Sequence, residues 1–326
     1  MSFSISVVMC TYNGAHFLTE QLNSIGRQTR MPDELVICDD RSSDGSAEMV
    51  NKFSGRVRFP VRLEVNKQTL GSTKNFEKAI SISQGEIVVL ADQDDVWYPD
   101  KLQRLQKAFL DSGNAVAAFS DADVIDDSSR SVGLLLWESF SFPLSEQKRF
   151  AAGQALNILI KHPVVTGASM AFRREYFPFL APIPHNDIHD RWMSFLLAAC
   201  GRYQLIPEPL MQYRRHNCQQ VGMGALTLRD RLARARITGR DLYLSEITRF
   251  RQLYARLELH RTEMPGADDA LAEITKKISH LEHRLRLRED KLARVPQIFR
   301  EVCKHSYWRY GAGWESVAKD LFMNKQ

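Results

Sequence analysis

Three aspartates, Asp92, Asp94 and Asp95, stand almost side by side directly after the apolar run Ile87–Leu90. Carboxylates this crowded repel one another unless a cation or a cationic side chain sits among them. Mg²⁺ takes oxygen ligands and is typically shared between one or two carboxylates and the phosphates of a substrate. Metal-assisted chemistry on a phosphorylated substrate is therefore one reading; an acidic turn opening a helix at Pro99-Asp100 is the other. Asp39 and Asp40 follow a second apolar run, Leu35–Cys38. A carboxylate there can accept the imide N–H of a uracil or thymine ring. Thr11, Tyr12 and Asn13 follow a third run, Ile5–Met9. A tyrosine so placed can cover a base, and a threonine can bond to a ring or a ribose. Both clusters also read as ordinary turns. Asp121 and Asp123, after Ala115–Phe119, repeat the D-x-D spacing and compete for the metal.

The elements that position these residues alternate. Strands are expected at Ile5–Met9, Leu35–Cys38, Val61–Val65, Ile87–Leu90 and Ala115–Phe119, the last followed by an acidic turn. Between them Phe17, Leu18, Leu22 and Ile25, then Val50 and Phe53, then Lys74–Ser83, then Leu102, Leu105 and Phe109 recur at helical spacing. Short apolar strands alternating with helices predict a parallel, helix-covered sheet. In such sheets ligands bind beyond the carboxyl ends of the strands, where three of the polar clusters lie. From Arg130 to Gly222 prolines interrupt the pattern, although Ser194–Cys200 reads as a buried helix. After Gly224 the chain is charged and helical, broken at Pro265-Gly266.

The 326 residues carry 44 Lys/Arg against 39 Asp/Glu, and 44% are apolar, which excludes disordered and fibrous classes. This length suits about two domains. The positive surplus is local: residues 225–304 hold 18 Lys/Arg and 12 Asp/Glu. Five cysteines without a CxxC pair argue against a disulfide framework or structural zinc and favour a reducing compartment. The N-terminus reads as a strand and not as a signal peptide, and no apolar run reaches the ~20 residues of a membrane span. A cytoplasmic protein is expected, with peripheral attachment to the inner face of the membrane left open.

The ordered segments ISVVMCTYNG, LVICDDRSSDGS, IVVLADQDDVWYPDKL, VVTGASMAFRRE, NDIHDRW and YRRHNCQQVG resemble the family 2 inverting glycosyltransferases of the GT-A fold. DQDDVW together with HDRW is similar to the rhamnosyltransferase-like branch of bacterial surface polysaccharide assembly. The resemblance covers residues 4–222. It implies a nucleotide-diphospho-sugar transferase domain over 1–222, with a mainly parallel sheet, and a basic helical region over 223–326.

The resemblance also implies roles. Thr11, Tyr12, Asn13, Asp92 and Gln93 would hold the nucleotide, with Asp40 facing the base and Asp39 supporting it. Lys74 would approach the nucleotide or its phosphates, unless it belongs to a solvated helix face. Asp92 and Asp94 would bind Mg²⁺ or Mn²⁺, Asp94 most directly. His216 would join the metal or the diphosphate, helped by Arg214 or Arg215; Asp95 receives no role. Gly167 and Ala168 would lie beside the transferred sugar. Where the family carries Glu before its catalytic Asp, this chain has His189. That leaves Asp190 as the base, with His189 and Trp192 toward the donor and acceptor sugars. The donor would be a dTDP- or UDP-sugar and the acceptor a glycan or lipid-linked hydroxyl.

Two other classes are weighed. A nucleotidyltransferase making nucleotide sugars should carry a Gly-rich phosphate loop, but Gly14 stands alone. A non-catalytic scaffold would not need the acids at Asp94 and Asp190. Nucleic acid is not an expected partner, because the tail interleaves both signs of charge. Arg229, Arg231, Arg234, Arg236 and Arg240, among Leu226, Leu228, Leu232 and Ile237, suit an anionic membrane surface. A helix packed on its own domain or on a second copy in a homodimer explains them equally.

Overall fold

The computed structural model describes residues 2–216 and 240–322. The strongly apolar runs become sealed strands. They are β1 (Ile5–Thr11), β2 (Glu34–Asp39) and β4 (Ile87–Ala91), with β3 (Val61–Val65) at the margin. All four are parallel, in the order β3-β2-β1-β4. The crossovers are helices α1 (Ala15–Gly26), α2 (Ser46–Ser54) and α3 (Ser72–Ile82). Their apolar stripes, such as Leu18, Leu22 and Ile25 on α1, close over the sheet to form its core. β1, β2 and β3 add successively in one direction, and β4 then pairs on the other side of β1. The polarity of winding therefore switches between β1 and β4, which opens a crevice beyond their carboxyl ends.

Beyond β4 the sheet becomes mixed, as β8 (Met170–Arg173), β6 (Ala115–Ile125), β9 (Arg202–Arg214) and the two-residue β5 (Val96–Trp97). β7 (Ser131–Leu135) pairs with β6 off this path. The acidic turn expected after Ala115–Phe119 is instead the second half of β6. Asp121 is 3% exposed, and its Oδ1 accepts the N–H groups of Ala122 (2.8 Å) and Trp137 (2.9 Å). Asp123 Oδ2 accepts the Tyr98 hydroxyl at 2.6 Å. Both acids brace the sheet, so this pair is not a rival metal site. β9 was hidden in the sequence by Pro207 and Pro209. They fall where the β6–β9 register shifts, Ser120 pairing with Ile206 and Asp121 with Pro209, so a bulge absorbs the missing donors.

The chain forms two compact units, residues 1–153 with 164–222, and residues 154–163 with 223–326. In the second unit, helices Arg240–Leu259 and Ala267–Leu285 pack on one another. Leu287, Ile298, Tyr307 and Val317 build a small core nearby. Charged groups are buried here too. Asp320 accepts Arg284 Nε (2.7 Å) and Nη2 (3.1 Å) and the Tyr307 hydroxyl (2.7 Å). Of the basic stretch expected to meet a membrane, Arg229, Arg231, Arg234 and Arg236 lie outside the described residues, and Arg240 opens the helix Arg240–Leu259. Among the described residues no helix is long and apolar enough to cross a membrane.

Removing one partner of a buried ion pair leaves the other charge uncompensated, at a cost of about 3–5 kcal/mol. Asp320→Ala should lower the urea-unfolding free energy of the full chain by that order. Asp320→Asn, which keeps an acceptor for Tyr307, should cost less. A loss under about 1 kcal/mol for the alanine variant would mean that the pair is not held as described.

Candidate active site

At the winding switch the ends of β1 and β2 are tied together first. Thr11 and Asp39 are register partners, and Thr11 Oγ1 donates to Asp39 Oδ2 at 2.7 Å. The rest of Asp39 accepts the Ser42 N–H (2.7 Å) and hydroxyl (2.6 Å). Asn13, in the left-handed region at φ 47°, receives the Ser43 N–H on its Oδ1 at 2.9 Å. Gln93 then ties β1 to β4. Its Oε1 accepts the Tyr12 N–H (2.9 Å) and its Nε2 donates to the Tyr12 carbonyl (3.2 Å). A Cβ at Gly14 would stand 2.1 Å from Gln93 Oε1, so this bridge requires glycine there. The Tyr12 side chain stays 46% exposed at the rim.

Asp40 is buried and holds the loop that follows β3. Its Oδ1 accepts the Leu70 N–H (2.7 Å) and Asn66 Nδ2 (2.8 Å), and its Oδ2 accepts the Gly71 N–H (2.9 Å). An ionised carboxylate oxygen takes about two hydrogen bonds, so Oδ2 keeps room for one more donor. Lys74 is paired with Glu77 at 2.8 Å, and Glu77 also accepts the Ile183 N–H.

Asp92, Asp94 and Asp95 gather at the end of β4, each offering an oxygen within 4.8 Å of the others. Asp92 is pushed up to about 8, first by burial and then by the charges of Asp94 and Asp190. Burial, and then the charges of Asp94 and Asp92, raise Asp95 well above the usual carboxylate range. Asp95 is fully buried; its Oδ1 accepts the Arg214 N–H at 3.0 Å, and its Oδ2 has no hydrogen-bond partner among the described residues. Asp94 Oδ2 lies 2.7 Å from His216 Nε2. Three converging carboxylates, one with an orphaned buried oxygen, are a donor set that fits a hard divalent cation.

Two cations frame this cluster, and only one of them, Arg214, was expected near the site. Lys101, fully buried at the start of helix α4 (Lys101–Asp111), donates to the Ala168 carbonyl at 2.7 Å and rides 4.0 Å above the Trp97 ring. Burial pulls its ammonium down, while Asp95 and Asp92 draw it back up. Arg214 is 1% exposed. Its Nε donates to the Asp94 carbonyl (2.7 Å), its Nη1 to Ser129 Oγ (2.8 Å) and its Nη2 to Glu20 Oε2 (2.5 Å). That engagement corrects the expectation that Arg214 assists a diphosphate: it braces the acidic loop. Lys101 carries a signal in sequence only through its place in DQDDVWYPDKL; Arg214 was visible but assigned to the wrong partner.

The third wall begins at helix His189–Cys200. Asp187 anchors it, its carbonyl accepting Thr73 Oγ1 (2.8 Å) and its Oδ1 pairing with Arg191 (2.7 Å). Asp190 Oδ2 accepts the Gly167 N–H at 2.9 Å, and its Oδ1 accepts the Arg191 N–H at 2.6 Å. Asp190 is also near enough to Asp92 to raise its pKa. His189 stacks on Phe76 with ring centroids 4.1 Å apart. It is 6% exposed, and neither ring nitrogen has a hydrogen-bond partner among the described residues. Its Nε2 would lie 2.9 Å from a Cβ at Gly167, so glycine leaves this edge of the imidazole open. Trp192 does not belong to the site. It is 1% exposed and its Nε1 donates to the Leu180 carbonyl at 2.8 Å, which makes it a core anchor.

The sequence profile described as glycosyl transferase family 2 matches residues 6–179. An uncharacterized glycosyltransferase of Nostoc sp. is 28% identical over 216 residues, 65% of each chain, so the match spans just under two thirds of that relative. A dTDP-rhamnosyl transferase of Shigella flexneri is 24% identical over 258 residues, 74% of this chain and 82% of that one. The fold resembles that of residues 1–349 of S. aureus TarS, solved in complex with UDP-GlcNAc. The TM-score is 0.55 at 16% identity, covering 94% of this chain and 89% of that one. With the profile spanning more than half of its length, the chain belongs to glycosyl transferase family 2.

Proposed function

We propose that residues 1–222 are the catalytic domain of a metal-dependent inverting glycosyltransferase, and that residues 223–326 form its basic helical extension. The observation that carries this reading is the meeting, at one winding switch, of an acidic triad with an orphaned buried oxygen on Asp95 and a separate carboxylate, Asp190, seated on the Gly167 N–H. Asp92, Asp94 and Asp95, with His216 beside them, would hold Mg²⁺ or Mn²⁺. Such an ion supplies electrostatic stabilisation of the charge developing on a leaving diphosphate.

The remaining steps belong to the chain. The rim made by Thr11, Tyr12 and Asn13 receives the nucleotide, its shape fixed by Asp39 and Gln93. Asp40 Oδ2, with one acceptor position left, suits the imide N–H of a pyrimidine base. Lys74 offers a charge on the α3 side. The loop Gly167-Ala168 and His189 contact the donor or acceptor sugar. Asp190 takes the proton from the attacking acceptor hydroxyl as the glycosidic bond forms, and the anomeric centre inverts in one displacement. A dTDP-L-rhamnose donor is supported by the Shigella relative's name, and a UDP-sugar by the TarS complex; uracil and thymine present the same imide edge to Asp40. The acceptor is taken to be a hydroxyl of a glycan or lipid-linked glycan in surface polysaccharide assembly.

Asp190→Asn keeps an acceptor for the Gly167 N–H but cannot take a proton. Turnover should fall by about 10²–10⁴-fold with donor affinity by calorimetry nearly unchanged; near-normal turnover removes Asp190 from the role. His189→Phe keeps the stack on Phe76 and deletes both ring nitrogens. It should lower kcat/KM by roughly 10- to 100-fold, the range of a lost buried hydrogen bond, without lowering the unfolding midpoint. A change in stability alone would make His189 a packing residue.

The raised pKa of Asp92 sets a pH dependence. Between about pH 4 and 8 the folded metal-free protein keeps a proton that the unfolded chain releases, so its stability falls as pH rises. A bound cation displaces that proton, and its affinity should rise by up to about tenfold per pH unit below 8. Thermal shifts with Mn²⁺ should therefore grow from pH 6 to pH 8 and vanish in Asp94→Ala. A pH-independent shift would exclude Asp92 as a ligand.

A further inference from the structure

Helix Lys291–Cys303 turns its apolar side outward. Leu292 is 82% exposed, Val295 45% and Phe299 65%. Pro296 and Cys303 are exposed as well, while Arg294, Ile298 and Glu301 are buried on the opposite side. Positions 292, 295, 296, 299 and 303 recur at helical spacing and fall on one stripe about 100° wide. At 100° per residue Lys291 lies along one margin of that stripe and Arg300 along the other, both exposed. They are the only exposed charges of the helix. Its single acid, Glu301, is buried and engaged by His280 (2.8 Å) and Lys304 (3.0 Å).

We infer that this face docks on an anionic lipid surface. Leucine and phenylalanine would enter the boundary between head groups and acyl chains, with the two flanking cations among the head groups. A second copy of the chain fits poorly. Any two-fold pairing of the face on itself would bring margins of the same positive sign together. The face also differs from the basic stretch Arg229–Arg240 singled out in the sequence, and it stands independently of the transfer chemistry.

The test uses the full chain in flotation with phosphatidylcholine vesicles, with and without phosphatidylglycerol. The wild type should float with the phosphatidylglycerol vesicles, progressively less as salt is raised, and not with phosphatidylcholine alone. Leu292→Glu combined with Phe299→Glu should weaken partitioning by tenfold or more, and Lys291→Glu or Arg300→Glu by about fivefold each. All three variants should keep wild-type urea midpoints and transfer to a soluble acceptor. Equal flotation of the Leu292/Phe299 double variant would overturn the proposal. So would no flotation of the wild type, equal flotation on neutral vesicles, or a dimer in sedimentation equilibrium that the double variant dissolves. Should the double variant fail to fold, the charge variants carry the test, and unchanged binding in both overturns it.

Discussion

Three carboxylates packed into a few ångströms at the end of β4 are the constraint around which the first unit is arranged. Burial opposes the ionisation of Asp92 and Asp95, and the neighbouring carboxylates oppose it further. The chain answers with groups brought from far away in sequence. Arg214 gives its backbone N–H to Asp95 and its guanidinium to the Asp94 carbonyl, and Lys101 brings a buried ammonium nearby. That is why β9 must run alongside β6 as far as Arg214. It also accounts for β5, only two residues long, whose Val96 and Trp97 pair with Gln212 and Met211 of β9. The pairing clamps the segment just after the triad to the strand that carries its counter-charge. One buried oxygen, Asp95 Oδ2, is still left without a partner, and an added cation resolves that deficit most directly.

The same cluster constrains what stands opposite it. Asp190 adds a fourth carboxylate whose field reaches Asp92, so its own backbone donors matter. The N–H groups of Gly167 and Arg191 take its two oxygens. Lys101, by holding the Ala168 carbonyl, ties the loop that supports Asp190 to the loop that carries the triad. The triad side and the Asp190 side, the metal and base sides of the proposed transfer, are thus tied through a buried lysine. A proton acceptor and a leaving-group site must keep their separation through a displacement, and rigid backbone ties of this kind maintain it.

The parallel half of the sheet was legible because each strand is short, apolar and followed by a polar turn, as in Ile5–Met9 or Ile87–Leu90. Parallel strands buried on both faces leave little else for such runs to be. The antiparallel half was not legible. Asp121 and Asp123 imitate a metal pair because strand-braced acids and ligand acids look alike in sequence. Pro207 and Pro209 argue against a strand that a bulge accommodates. Residue type likewise suggested Trp192 for a sugar, while packing used it as an anchor for the Leu180 carbonyl. Lys101 adjoins Leu102 and Leu105 and reads as the polar margin of an amphipathic helix. Only the folded chain shows it facing carboxylates.

Net charge misled in a more general way. The surplus of Lys/Arg in the C-terminal hundred residues suggests a basic surface, yet several of those charges never meet water. Arg284 and Arg294 both converge on Asp320, the first through its carboxylate and the second through its carbonyl at 2.8 Å. Lys277 is buried above the Phe250 ring, where desolvation pulls it down to about 8. Other cations of this region, such as Arg251, Arg286 and Lys304, are exposed, but on helix Lys291–Cys303 the exposed charges are Lys291 and Arg300, which border the apolar stripe. Two charges set beside exposed leucine and phenylalanine favour an anionic interface more specifically than a larger diffuse surplus would. The apolar side chains supply most of the attraction, and the cations select the sign of the surface.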